Sequence, residues 1–177
     1  FLASPEGTEG FAHGLVFGDG SQHTYYPERH QIRLCGEKEQ KHVERLERSQ
    51  YHLNTTYPES YNGDAMVWFK LDKGMNWKVL PSKDSNVAYQ RAFLHGWIAA
   101  DGTQKPAGTI CLGTQNHEAA QWLVERAPLL GFCVTGFNYD SVMETNYGPR
   151  SAPMARITLT TEKTEYVVKS ITDEGRE

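Results

Sequence analysis

Two stretches of the chain, HGLVFGDGSQ (13–22) and HGWIAADGTQ (95–104), carry a histidine, a glycine, an Asp-Gly pair and a glutamine at the same spacing. His13 aligns with His95, Gly14 with Gly96, Asp19 with Asp101, Gly20 with Gly102 and Gln22 with Gln104, all at an offset of 82, with Ser21 opposite Thr103. Agreement at polar and glycine positions is hard to obtain by chance. The chain therefore reads as two similar halves, 1–83 and 84–177. With 177 residues it is long enough for one compact, pseudo-symmetric domain with a real core. A further echo, IRLCG (32–36) against ICLGT (110–114), comes at a shifted offset, as a hairpin insertion would produce.

Each half follows one pattern. A short apolar helix ends at Asp-Gly, over about 9–19 and 86–101, with glycine suited to the C-cap. A hairpin follows near 22–35 and 104–113. An amphipathic helix comes next, polar over 37–49 and more buried over 116–131, with Asn116 as N-cap and Gly131 as C-cap. β-branched and aromatic content then predicts two strands per half, 65–71 and 76–80, then 155–160 and 165–171. The resulting fold class is α+β, with mostly antiparallel sheets.

Gly14 and Gly18 lie four apart, as do Gly96 and Ala100, so each helix shows a stripe of small residues on one face. Glycine inside a helix costs about 1 kcal/mol relative to alanine. Close packing of the two repeated helices would compensate. Their C-terminal ends would then meet and bring Asp19 near Asp101. Two carboxylates at the negative ends of two helix dipoles repel one another. A hard divalent cation such as Mg²⁺ or Mn²⁺ would neutralise them and could serve phosphodiester hydrolysis. The plain alternative is that each aspartate is an Asp-Gly turn residue. His13 and His95, almost two turns upstream, suit packing or hydrogen bonding rather than metal binding.

At these residues the chain resembles the LAGLIDADG homing endonucleases. AHGLVFGDG (12–20) and LHGWIAADG (94–102) are similar to the family's two signature helices. Two copies in one chain resemble the monomeric form of the family. The resemblance implies a site-specific, Mg²⁺-dependent endonuclease acting on double-stranded DNA with a long recognition site. The paired helices would form the interface between halves, and antiparallel saddle sheets would lie along the major groove. Asp19 and Asp101 would be metal ligands. The family's basic residues near the metals suggest Lys78 and Lys169 as catalytic partners. Gln22 and Gln104, which follow the aspartates closely, could orient water or reach DNA. Tyr25, Arg33, Lys70, Asn138 and Arg156 are further candidates for DNA contact, with the strand register left open. The C-terminal YVVKSITDEGRE resembles the segment leading back into the splicing part of an intein, and the missing initial Met fits an excised piece of a larger host protein.

Composition qualifies this picture. The net charge of −4 does not favour phosphate contact, so acidic residues are expected to cluster away from the binding face. Three cysteines, Cys35, Cys111 and Cys133, are too few for a disulfide framework and suit a reducing compartment such as the cytoplasm. The apolar runs are short and broken by charge, so no membrane partner is expected. A non-cleaving nucleic-acid binder, such as a degenerate endonuclease or RNA maturase, or an inert insert of a splicing protein, is the competing reading.

Overall fold

The computed structural model describes residues 4–22, 25, 30–35, 41–48, 52–61, 64–71, 75–105, 108–140, 144–145, 148–149 and 153–161. The first half contains α1 (Pro5–Asp19), β1 (Ser21–Gln22), β2 (His30–Cys35), α2 (Val43–Glu47), β3 (His52–Tyr61) and β4 (Asp64–Leu71). The second contains α3 (Val87–Asp101), β5 (Thr103–Gln104), β6 (Thr109–Thr114) and α4 (His117–Arg126), the last continuing as a 3₁₀ turn over Ala127–Leu130. Then come β7 (Cys133–Asp140), a short β8 (Glu144–Thr145) and β9 (Gly148–Pro149) pair, and β10 (Met154–Thr160). The fold class is α+β, as expected. Among the described residues no helix is long and apolar enough to cross a membrane.

Local chemistry sets the helix ends. The Ser4 hydroxyl accepts from the Gly7 N–H at 3.0 Å, and Pro5 opens α1. Asn86 caps α3 through Ala88 N–H at 2.7 Å, and Asn116 caps α4 through Ala119 N–H at 3.1 Å. Gly131 closes the 3₁₀ turn at φ +90°, a left-handed conformation that glycine adopts without strain. Gly20 and Gly102 follow α1 and α3 differently, at extended φ of −71° and −75°. They are small because their backbones fold tightly against Val16 and Ile98.

The two four-stranded antiparallel sheets have the same order, β1-β2-β4-β3 and β5-β6-β10-β7. Their registers also correspond. Gln22 pairs with His30, and Gln104 with Ile110, so β6 follows β2 at an offset of 80. This corrects the alignment of IRLCG with ICLGT by two residues. Ile32 is the counterpart of Leu112, and both are buried. A bulge recurs too: Leu53 in β3 and Thr135 in β7 are the extra residues where the ladders shift, again 82 apart.

The expected strands 65–71 and 155–160 form, as 64–71 and 154–160, but each is preceded by a partner strand that the sequence does not suggest, 52–61 and 133–140. The segment 76–80 is a turn, not a strand: the Asn76 side-chain oxygen accepts from the Lys78 N–H at 3.3 Å, an Asx-type turn. Its apolar content has another purpose. Trp77 is fully buried in the first core, where a side chain of its size contributes on the order of 2–3 kcal/mol. The expected strand 165–171 lies outside the described residues.

Alpha-helices α1 and α3 pack along one another through small residues. A Cβ placed on Gly14 would lie 2.7 Å from the carbonyl carbon of Phe93, and one on Gly96 would lie 3.0 Å from that of Phe11. Phe11 and Phe93 are themselves 82 apart, so the two contacts are reciprocal, as a twofold relation between the helices requires. Gly10 extends the stripe: its added Cβ would meet that of Ala92 at 3.0 Å. Gly18 lies against Ala100. Each helix also serves both cores. Ala92 of α3 belongs to the first cluster, and Phe17 of α1 packs on the second.

Candidate metal centre and nucleic-acid interface

Both motif aspartates end their helices, Asp19 on α1 and Asp101 on α3. The Asp101 carboxylate lies against the last turn of α1, 3.1 Å from where a Cβ on Gly18 would stand. One of its oxygens accepts from the Trp97 indole N–H at 3.0 Å. Desolvation pushes the Asp101 pKa above the ordinary aspartate range, and the Trp97 hydrogen bond and the Lys78 charge partly offset this.

Lys78 binds the end of α1 within electrostatic reach of both aspartates. Its ammonium donates to the Phe17 carbonyl at 2.7 Å and to the Gly18 carbonyl at 3.2 Å, where α1 presents unpaired acceptors. Burial lowers its pKa, while Asp101 and then Asp19 hold it up. A cation at this position feels both carboxylates. Phe17, Gly18, Lys78, Trp97 and Asp101 line one open depression together with Asn116 of the α4 N-cap. Lys78 thus reaches the site expected of it, but from a turn instead of a strand. Lys169 lies outside the described residues.

The donor set suits a hard cation. Two carboxylates supply anionic oxygens, and Mg²⁺ characteristically takes one or two carboxylates with water and substrate phosphate completing its shell. Among the described residues no group of three or more His, Cys, Asp or Glu side chains gathers around a common point. Asp19 and Asp101 are the residues that would hold such an ion.

His13 fixes Lys78 indirectly. One ring nitrogen of this buried residue pairs with the Val79 carbonyl at 2.9 Å, the other with the Tyr89 hydroxyl at 2.9 Å. Nε2 must therefore carry the proton, and Tyr89 donates to Nδ1. His95, its repeat counterpart, instead lies half-buried on the Phe132 ring. Burial lowers the His13 pKa to about 4, and His42 is also lowered to about 4 by burial and by Lys41 and Arg45. Because the unfolded chain binds these protons near pH 6.5, it holds more protons than the native state between about pH 4 and 6.5. Stability should therefore rise with pH across that window and level off above it. For His13 alone the swing is about 3 kcal/mol. Urea unfolding from pH 4.5 to 7.5 should show this slope, and His13→Gln should reduce it to the part due to His42.

The outer faces of the sheets lead away from the carboxylates. In the second sheet Ala155, Ile157 and Leu159 point into the core, so Met154, Arg156 and Thr158 point outward. Register places Gly113 and Asn138 on either side of Arg156, and Cys111 and Gly136 on either side of Thr158. Asp101, Thr103, Lys105, Asn138, Arg156 and Thr158 line a shallow groove on this face. In the first sheet Arg33 is exposed between buried Ile32 and Leu34, and Gln31 stands opposite Lys70 and Ser21. Arg33 thus occupies an outward register position, and Lys70 is the backbone partner of Gln31. Tyr25 is exposed between β1 and β2. Gln22 and Gln104 differ: each pairs with a core-facing residue, His30 or Ile110, while Ser21 and Thr103 take the groove positions. Exposed Glu44, Glu47, Glu118 and Glu125 sit on α2 and α4, against the opposite face of the sheets. Lys105, Thr103, Gly113 and Asp140 were not singled out by sequence; strand alternation marks them once the register is known.

By sequence, no protein family and no curated protein matches this chain. Solved structures do match in shape. The N-terminal LAGLIDADG domain of DUF199/WhiA superposes with a TM-score of 0.56 at 10% identity, covering 89% of this chain and 78% of that one. Full-length DUF199/WhiA from Thermatoga maritima gives 0.54 at 11% identity; this chain spans about half (52%) of its length. I-DmoI in complex with DNA and Mn gives 0.55 at 13% identity, covering 89% of this chain and 91% of that one. The fold is the LAGLIDADG fold. At these identities the likeness concerns the fold alone.

Proposed function

We propose that this chain is a site-specific double-stranded DNA endonuclease of the homing type, dependent on a divalent metal. The observation that carries the reading is Lys78, bonded to the end of α1 and within electrostatic reach of Asp19 and Asp101 at the ends of two glycine-packed helices, beside the outer sheet faces. The LAGLIDADG fold shared with I-DmoI, a protein solved with DNA and Mn, supports it. A divalent ion held by the aspartates would supply Lewis-acid stabilisation of phosphate oxygens. Lys78, kept cationic by both carboxylates, would place positive charge where charge develops on the phosphate. The outer residues of both sheets would hold the duplex. Because Arg33 in one half corresponds to Gly113 in the other, the halves present different side chains and would read a non-palindromic target. An intein host and a monomeric state are part of the same proposal.

The test is cleavage. Incubation of pooled plasmids carrying randomised duplexes with the protein and Mg²⁺ or Mn²⁺ should linearise a defined subset. Duplex binding without linearisation in either metal would overturn the nuclease reading. That outcome would favour a non-cleaving nucleic-acid-binding module, a second reading with an observation of its own: Trp97 and Lys78 already partner the Asp101 carboxylate within the protein.

A further inference from the structure

We infer that Arg156, oriented by Asp140, reads a guanine, and that Asp140 is a positioning residue for sequence discrimination; the inference rests on the DNA-binding part of the reading above. The Arg156 guanidinium donates to one Asp140 carboxylate oxygen through Nε at 3.2 Å and through a terminal nitrogen at 2.8 Å. The arginine side chain is 46% exposed, whereas Asp140 is only 17% exposed. The carboxylate therefore sits back against the sheet and the guanidinium stands out from it. An exposed ion pair adds little to stability. Its consequence here is geometric, because it removes much of the rotamer freedom an arginine on a strand would otherwise have.

The groove lined by Asn138, Met154, Arg156 and Thr158 leaves room for a base. Gly113 occupies the register position beside Arg156 on β6, and the flexible Met154 thioether lies over it, 2.8 Å from where a Cβ on Gly113 would stand. Asn138 stands on the other side, on β7. The row Gly113–Arg156–Asn138 thus runs across three strands as a glycine covered by a flexible methionine, a fork held by a carboxylate, and a carboxamide. A guanidinium presents parallel N–H donors that match O6 and N7 of guanine in the major groove, the commonest specific contact there. Two donors are already spent on Asp140, and the half-exposed guanidinium has further N–H groups to offer. An unpaired carboxylate at this point would repel phosphate, so the pairing also makes Asp140 tolerable on a DNA-facing surface. A mobile cation serving phosphate alone would have no use for a carboxylate clamp, which lowers its net charge.

The experiment uses the full chain, without divalent metal so that cleavage plays no part, and a pool of randomised duplexes whose bound fraction is sequenced. Wild type should enrich a guanine at one position. Arg156→Lys should keep overall duplex affinity within a few-fold but lose discrimination at that position by about tenfold or more. Asp140→Asn should lose discrimination at the same position, yet bind the pool more tightly and with a steeper salt dependence, because a negative charge is gone and the guanidinium is free to reach phosphate. A sequence-selective wild type whose preferences are the same in both variants would overturn the inference and leave the DNA-binding reading intact. Absence of duplex binding by wild type would overturn both.

Discussion

Gly14→Ala should destabilise the protein by about 3–5 kcal/mol, a large part of the total stability of an ordinary domain. The added methyl would meet backbone on α3: the carbonyl carbon of Phe93 at 2.7 Å and the amide nitrogen of Trp97 at 2.8 Å. Side chains can rotate away from an intruder, but a helix backbone can yield only if the whole helix moves. Moving α3 would disturb both cores, since each helix contributes to both. Gly96→Ala should behave in the same way, because its neighbours are the Leu15 amide and the Phe11 carbonyl. Gly131→Ala is the useful contrast. There the nearest atom is the Arg91 guanidinium at 3.6 Å, so only the left-handed φ is penalised, by about 1–2 kcal/mol. Urea unfolding of the three variants should rank them in this order. A mild Gly14→Ala would mean that the helices are not in backbone contact.

The second large effect concerns Asp101 and runs in opposite directions for activity and stability. Asp101→Asn should reduce metal-dependent DNA cleavage by about 10²–10³-fold, the scale of losing one electrostatic contact to a reacting group. It would remove one of the two proposed anionic ligands, and it removes one of the two carboxylates that keep Lys78 protonated. Stability should increase at neutral pH. The native pKa of Asp101 lies above its unfolded value, so its ionised form is disfavoured in the fold. That contribution to stability is complete below the unfolded pKa and is lost as pH rises through the native one. Asparagine does not ionise, so the variant should melt higher than wild type at pH 7, and the difference should vanish below about pH 4. Thermal unfolding at the two pH values checks this directly. Wild-type cleavage by Asp101→Asn would remove that carboxylate from the proposed centre.

The signature helices were legible because their small residues and Asp-Gly ends are demanded by a close approach that leaves few alternatives. Even so, Gly10 and Ala92 were not recognised as part of the stripe, since they fall before the repeated segment. Strands 65–71 and 155–160 are legible in the sequence, but the strands that precede them are not. HLNTTYPESY and CVTGFNYD form the edge strands β3 and β7, and both carry many polar residues and few of the apolar runs that mark central strands. NWKVL looked like a strand because Trp77 is apolar, but Trp77 is apolar to plug the core from a turn. The slip of two residues in aligning β6 with β2 has a similar origin. A shift of two keeps every side chain on the same face, so hydrophobic pattern cannot detect it, and hydrogen-bond register can.

Sequence by itself determined the duplication, the α+β class, the small-residue helix pair and the two aspartates, because each is written in residue identities at fixed spacing. Tertiary structure alone decided that Lys78 binds the end of α1 within electrostatic reach of Asp101, that His13 anchors the neighbouring turn, and that Asp140 pairs with Arg156. These pairs lie on separate elements, and charge and hydrogen bonding act over a few ångströms of space, whatever the distance along the chain.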